Sequence, residues 1–332
     1  MSKLAADPAR AAISASETRR YQAWLVGPWF DCLLVANVAW PLFVLLQFNE
    51  PFSGSAGLKF WQIYYITTPH RWITLALVFL DRERFSARRG TFLAVASAIV
   101  LVCLGIRFTT GALTCLLAID YLWNAWHFAA QHHGIYRIYG RLGCAPSASH
   151  DAWEKWAMRA FLLYVLLRVA SATWSDATWE YYLRRSDWLV LPIPAWLLIR
   201  GCWPPRHNSA GRLAYLTSMI ALYLALLWSV HERRLGLVLS LAVASALFHA
   251  LEYLALVSWS VQQRHARLGD RLGALAWLAP RWVVALTLFV VILGAGGWLM
   301  DQNYLETWLT INVIVAFLHY AYDGLIWRRQ GA

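Results

Sequence analysis

The sequence predicts an all-α membrane protein, a polytopic bundle of about ten transmembrane helices with both termini in the cytoplasm. Three observations carry that expectation. Of its 332 residues, 60% are hydrophobic and the mean hydropathy is +0.46. Only 14% are charged, against about 25% in an ordinary soluble domain. The 21 tryptophans and 15 tyrosines suit the aromatic belts that anchor helices at the headgroup level.

Residues 1–23, beginning MSKLAADPARAAISASETRRYQ, hold no apolar run of the length a cleavable signal needs, so they read as a polar cytoplasmic tail. A single helical membrane domain is expected over 24–327, followed by a short cytoplasmic tail at 328–332. Runs long enough to cross the bilayer lie near 28–48, 58–80, 91–108, 111–134, 156–174, 187–200, 212–230, 234–259, 281–300 and 304–327. The sixth is short and holds Pro192 and Pro194, which suits a re-entrant or interfacial element. In the second, Pro69 is expected to kink the helix and aim His70 inward. The segment DRLGALAWLAPRW, at 270–282, reads as an interfacial helix. No internal repeat of the kind that builds inverted-repeat transporters is found.

Loop charge sets the orientation, because arginine collects on the cytoplasmic side. DRERFSARRG, YRIYGRLG, RGCWPPRHNSAGR, QQRHARLGDRLG and WRRQGA all fall on one side and are arginine-rich. EPFSGSAG, FTTG and DQNYLE fall on the other, although EYYLRRSD and HERR there carry arginine too. The net charge of +11 is therefore read as topology, since lysine occurs only at positions 3, 59 and 155. No basic stripe lies on a soluble domain long enough for a duplex, which excludes nucleic-acid binding. The five cysteines are scattered with no CxxC or CxxCH pattern and read as small apolar residues.

Chemistry concentrates in histidine. Of ten, His150, His207, His231 and His265 fall in loops and read as solvated. His70, His127, His132, His133, His249 and His319 fall in the second, fourth, eighth and tenth spans, all running from outside to inside on this topology. His70 lies 12 residues before Arg82, His127 ten before Arg137, His249 fifteen before Arg264 and His319 nine before Arg328. At 1.5 Å per residue these are depths of about 14 to 22 Å, one layer in the cytoplasmic half of the bilayer.

Acids share those faces: Asp323 is four residues from His319 and Glu252 three from His249. In WNAWHFAAQHHGIYRIY and the turn before it, Asp120, Asn124, His127 and Gln131 fall within about 60° around one helix axis. Buried polar groups of this kind are costly in hydrocarbon and mark function. Six histidines with Glu252 and Asp323 suit one or two transition-metal ions. Imidazole plus carboxylate, without cysteine, favours non-haem iron. Asp120, Asn124 and Gln131 are expected to orient imidazoles. Tyr253 and Tyr320, with Tyr322 and Asp120, are candidates for proton or hydrogen-bond donation. Elsewhere, Asp31 and Glu306 read as interfacial, Arg71 as snorkelling or paired with a buried acid, Arg107 and Arg168 as reaching an interface, and Asp81 with Glu83 as a solvated charge cluster.

The run His127-x4-His132-His133 is similar to one histidine box of the integral-membrane desaturases and hydroxylases. Single histidines in separate helices, one following proline as in Pro69-His70, resemble more loosely the bacterial carotene-cleaving dioxygenases. These resemblances imply iron, dioxygen as co-substrate and a lipophilic substrate taken from the bilayer. For His127 and His132, about 140° apart on a regular helix, to share one ion, the helix must end or bulge near Gln131 to Gly134.

The expected function is thus a membrane oxidoreductase, mono- or di-iron, of a bacterial inner membrane. With no nucleotide-binding loop in the chain, its electron donor would be a separate protein. A proton-coupled transporter with a metal-free histidine and acid relay, and a haem b protein using two of the histidines as axial ligands, are the alternatives.

Overall fold

A computed structural model describes residues 23–49, 63–143, 151–174, 177–203 and 209–327, and within these every regular element is helical. The main helices are α1 (Trp40–Asn49), α2 (Thr68–Leu80), α3 (Arg89–Thr110), α4 (Thr114–Gly143), α5 (Asp151–Trp174), α6 (Ala177–Val190), α7 (Pro192–Cys202), α8 (Ala210–His231), α9 (Leu235–Leu268), α10 (Trp282–Asn303) and α11 (Leu305–Ile326). The expected tails lie outside the described residues, apart from Ala23.

Among the described residues, five stretches are long and apolar enough to cross a membrane: 89–110, 210–231, 235–272, 274–303 and 305–326. Pro28–Val35 and Trp40–Gln47, meeting at a 42° bend, make a sixth if they form one broken span. Among the described residues, each of the ten expected runs is largely helical. However, α4 and α5 carry too much polar and charged side chain to qualify by composition, and α2 and α7 are too short. Around Pro192 the expected sixth run is a junction, with α6 ending at Val190 and proline opening α7, a position where its missing N–H leaves no bond unmade. Pro69 likewise occupies the first turn of α2, after a π-helical turn at Ile63–Thr67. Helical backbone is continuous across that junction, so the hydrogen-bond pattern changes from π to α directly before Pro69.

Contacts divide the chain into two compact units: residues 1–48 with 128–248, and 49–127 with 249–332. In the second unit, Ile73 and Leu77 of α2 pack with Tyr253, Val257 and Val261 of α9 and with Trp282. Val78 packs with Phe92, Leu318 and Tyr322, while Cys103 and Leu116 pack with Val313, Ala316, Phe317 and Tyr320. Gly294 and Gly297 let α10 approach closely. A Cβ at Gly294 would stand 2.6 Å from the Tyr65 ring, and one at Gly297 2.6 Å from that of Trp308.

Asp81, expected in a solvated cluster, is fully buried. It caps the helix Arg82–Ala87 by accepting from the Arg84 backbone N–H at 3.1 Å, and it also accepts from Arg264 Nε at 2.9 Å. Burial, then the neighbouring Arg264 charge, lowers the pKa of Arg84. Glu83 does stay half exposed, with Arg264 2.9 Å away.

The first unit is held by buried polar knots. Asp31 is fully buried instead of interfacial; its carboxylate accepts from the backbone N–H groups of Leu25 (2.5 Å) and Val26 (3.1 Å) and from Tyr139 Oη (2.8 Å). Arg168, expected to reach an interface, is buried and gives two bonds to Glu180 (2.6 and 3.1 Å), while its Nε–H is shared between the two oxygens of Asp187 (3.1 and 3.4 Å). Buried charge survives in such a place only when paired.

Candidate metal centre

Four helices of the second unit carry one histidine each to a common point. His70 comes from α2, His127 from α4, His249 from α9 and His319 from α11, and all four are buried. On three of these helices the residue one turn further on is a hydrogen-bonding partner of the cluster: Thr74 after His70, Tyr253 after His249, Asp323 after His319. An i to i+4 step keeps both side chains on one face. The same step on three helices builds two layers, imidazoles in one and hydroxyl or carboxyl groups in the next.

The imidazole layer is a closed ring. Centroids lie 5.2 Å apart for His70 and His249, 5.1 Å for His249 and His127, 4.6 Å for His127 and His319, and 5.2 Å for His319 and His70. The interplanar angles run from 70° to 89°. His127 Nε2 and His319 Nε2 stand 3.1 Å apart. Among the described residues, donor atoms within 4.8 Å of one another form two groups, His70 with His249 and His319, and His127 with His319 and Asp323.

The second layer is tied together. Thr74 Oγ1 lies 2.6 Å from His319 Nδ1 and 2.6 Å from Tyr253 Oη. Tyr253 Oη donates to Asp323 Oδ1 at 2.6 Å, and Asp323 Oδ2 lies 3.8 Å from His127 Nε2. At the edge, Glu252 Oε1 is 3.9 Å from His249 Nδ1, both side chains fully buried. Tyr320, 5.0 Å from the His127 ring, shares its hydroxyl proton between Asp120 (2.9 Å) and Asn124 (3.0 Å). Asp120 and Asn124, expected to fix imidazoles directly, therefore hold Tyr320, which packs on one. Arg71 lies within electrostatic reach of Asp120 and Tyr320. Tyr322 donates to the Phe92 carbonyl and serves packing.

These positions fit a metal ion. Imidazoles bound at about 2.1 Å to one ion hold their nitrogens about 3.0–3.4 Å apart, and their ring centres about 4.5–5.2 Å apart, for angles between 90° and 109°. The observed 3.1 Å and 4.6–5.2 Å fall inside both intervals. Both nitrogens of His70 are buried without a well-formed hydrogen bond, the carbonyls of Ile66 and Thr67 facing the ring at poor geometry. A buried imidazole left so is expensive unless a ligand completes it.

His132 and His133 are not in either donor group. They belong to the first unit, as does Gln131. His132 Nδ1 lies 2.7 Å from Tyr215 Oη and its Nε2 3.2 Å from Tyr223 Oη. His133 has Arg159, Arg137 and Lys155 as its charged neighbours. The break needed to bring His127 and His132 to one ion does not occur, for α4 continues unbroken to Gly143. Thr74 is the site residue the sequence reading missed. Its signal was the His-x3-Thr spacing, matching His249-x3-Tyr253 and His319-x3-Asp323. Comparison with protein-family models, curated proteins and solved structures gives no match to this chain.

Proposed function

We propose that the chain is a membrane-embedded, metal-dependent oxidoreductase in which His70, His127, His249, His319 and Asp323 hold a non-haem iron ion. The reading rests on the closed ring of four buried imidazoles, with a carboxylate and no thiolate among the donors, the ligand set iron favours. When bound, iron would supply Lewis-acid and one-electron chemistry toward dioxygen and a lipophilic substrate.

The chain's own groups prepare that site. Thr74 holds Nδ1 of His319, which fixes the ring and turns Nε2 to the cluster. Tyr253 engages Oδ1 of Asp323 and leaves Oδ2 on the His127 side. Apolar residues such as Ile73, Leu77 and Val257 pack beside the second layer and exclude water. A substrate soluble in the bilayer would reach the site between helices, and the reductant would come from a separate protein. In this reading the arginine-rich loops face the cytoplasm of a bacterial inner membrane.

A metal-free proton relay is the second reading, favoured by the hydrogen-bonded succession Tyr253, Thr74, His319, His127. The haem alternative has less support, because neighbouring rings at 4.6–5.2 Å leave no slot for a macrocycle. Elemental analysis with an optical spectrum of the purified chain separates the three. About one iron per chain without a Soret band supports the proposal; a Soret band supports haem; absence of bound metal supports the relay.

A further inference from the structure

In the first unit, the end of α6 with Leu191 and the last turns of α8 border an open-sided cavity of about 350 Å³, within the size range of small-molecule pockets. Its walls are Trp188 and Leu191 on one side and Leu224, Leu227 and Trp228 on the other, with Asp187 and His231 as its polar groups. Indole rings flank the imidazole: Trp188 meets it edge-on at 5.5 Å and Trp228 stacks at 6.1 Å. His231, read from sequence as a solvated loop residue, is instead the last residue of α8 and bonds Asp187 Oδ2 through Nδ1 at 2.9 Å.

We propose that this cavity binds a lipid-soluble hydroquinone, a neutral flat ring whose hydroxyl donates to Nε2 of His231. Three observations select that chemistry. The Asp187 carboxylate accepts from Nδ1–H, which leaves Nε2 as the second hydrogen-bonding atom of a ring that lines the cavity. The charges behind the wall are matched, because Arg168 and Arg233 together face Glu180 and Asp187. Buried Arg168 answers both Glu180 and Asp187, and Tyr164 adds a 2.7 Å bond to Asp187. No unmet charge therefore calls for a charged headgroup, and Asp187 on the wall repels an anionic one. Finally, the cavity sits at the end of a membrane-length helix, at the depth where amphipathic rings settle, and its indoles offer faces for ring packing.

The test is equilibrium binding of a decyl-substituted hydroquinone, kept reduced, to the full chain in phosphatidylcholine nanodiscs, with its dimethyl ether as the donor-free control. The parent is expected to bind the hydroquinone at least tenfold more tightly than the ether. His231→Asn, whose amide can still donate to Asp187, should lose at least tenfold, as should Leu224→Trp, which fills the cavity without touching the dyad. A photoreactive hydroquinone on the unaltered chain should label residues 187–191 or 224–231. Equal binding of the ether, parent-like binding by both variants, or labelling confined elsewhere would overturn the proposal. Iron content reports separately on the histidine cluster, so failure at one site is distinguishable from failure at the other.

Discussion

Nε2 of His127 and Nε2 of His319 face each other at 3.1 Å, while Thr74 secures the far nitrogen of His319 at 2.6 Å. Two imidazole nitrogens so placed have either one proton between them or one ion beside them. Asp323 Oδ2, 3.8 Å from the same His127 nitrogen, adds a carboxylate to the point where they converge.

Alanine at His70, His127, His249 or His319 is expected to lower bound metal at least tenfold, whereas His132→Ala should leave metal content unchanged. His132→Ala removes two hydrogen bonds to buried tyrosines and should instead destabilise the fold by about 1–3 kcal/mol. Metal-to-protein ratios and thermal unfolding of the five variants check this. Metal loss in His132→Ala matching that of His127→Ala would contradict it.

Thr74→Val deletes the hydroxyl on His319 Nδ1 at almost constant volume. Groups that orient ligating imidazoles are worth about 10- to 100-fold in metal affinity, and a loss of that size is expected, with Thr74→Ser restoring most of it. Competition with a calibrated chelator reads the difference. A Val variant with parental affinity would mean that Thr74 serves packing alone.

Arg168→Met strands Glu180 and Asp187, both buried. Removing one partner from a buried ion pair costs about 3–5 kcal/mol, so a steep fall in melting temperature is expected. Replacing Glu306, an exposed partner of Arg107, should shift stability by about 1 kcal/mol or less. Similar melting temperatures for the two variants would refute the assignment of Arg168 to a buried knot.

Gly297→Leu is expected to disturb the approach of α10 to α11, since even a Cβ there meets the Trp308 ring at 2.6 Å. Overpacking of this kind costs about 1–3 kcal/mol. Gly296, with nothing within 4 Å of its Cβ position, should accept alanine with little change. Equal tolerance at both positions in a thermal-shift assay would count against this packing.

Helical class and the grouping of His70, His127, His249, His319 and Asp323 were legible in the sequence for a physical reason. Depth in a membrane helix can be counted from flanking arginines, and residues at one depth on parallel helices can meet. Azimuth is harder to read than depth. His132 and His133 share a helix with His127 but point about 140° and 120° away from it, and a continuous α4 leaves them there. Thr74 went unread because a threonine in an apolar helix ordinarily bonds its own backbone. Asp31 and Arg168 looked interfacial by position and Asp81 solvated; their burial depends on partners in other elements, such as Tyr139, Glu180 and Arg264. Span count suffers similarly, since α4 and α5 carry charges whose partners only the fold reveals.

X-ray absorption at the iron edge of the purified chain addresses the four-imidazole centre most directly. Nitrogen or oxygen scatterers near about 2.1 Å, with the outer-shell pattern of several imidazoles and no sulfur, are the expected result. Sulfur ligation, or a chain that binds no metal after reconstitution, would contradict it.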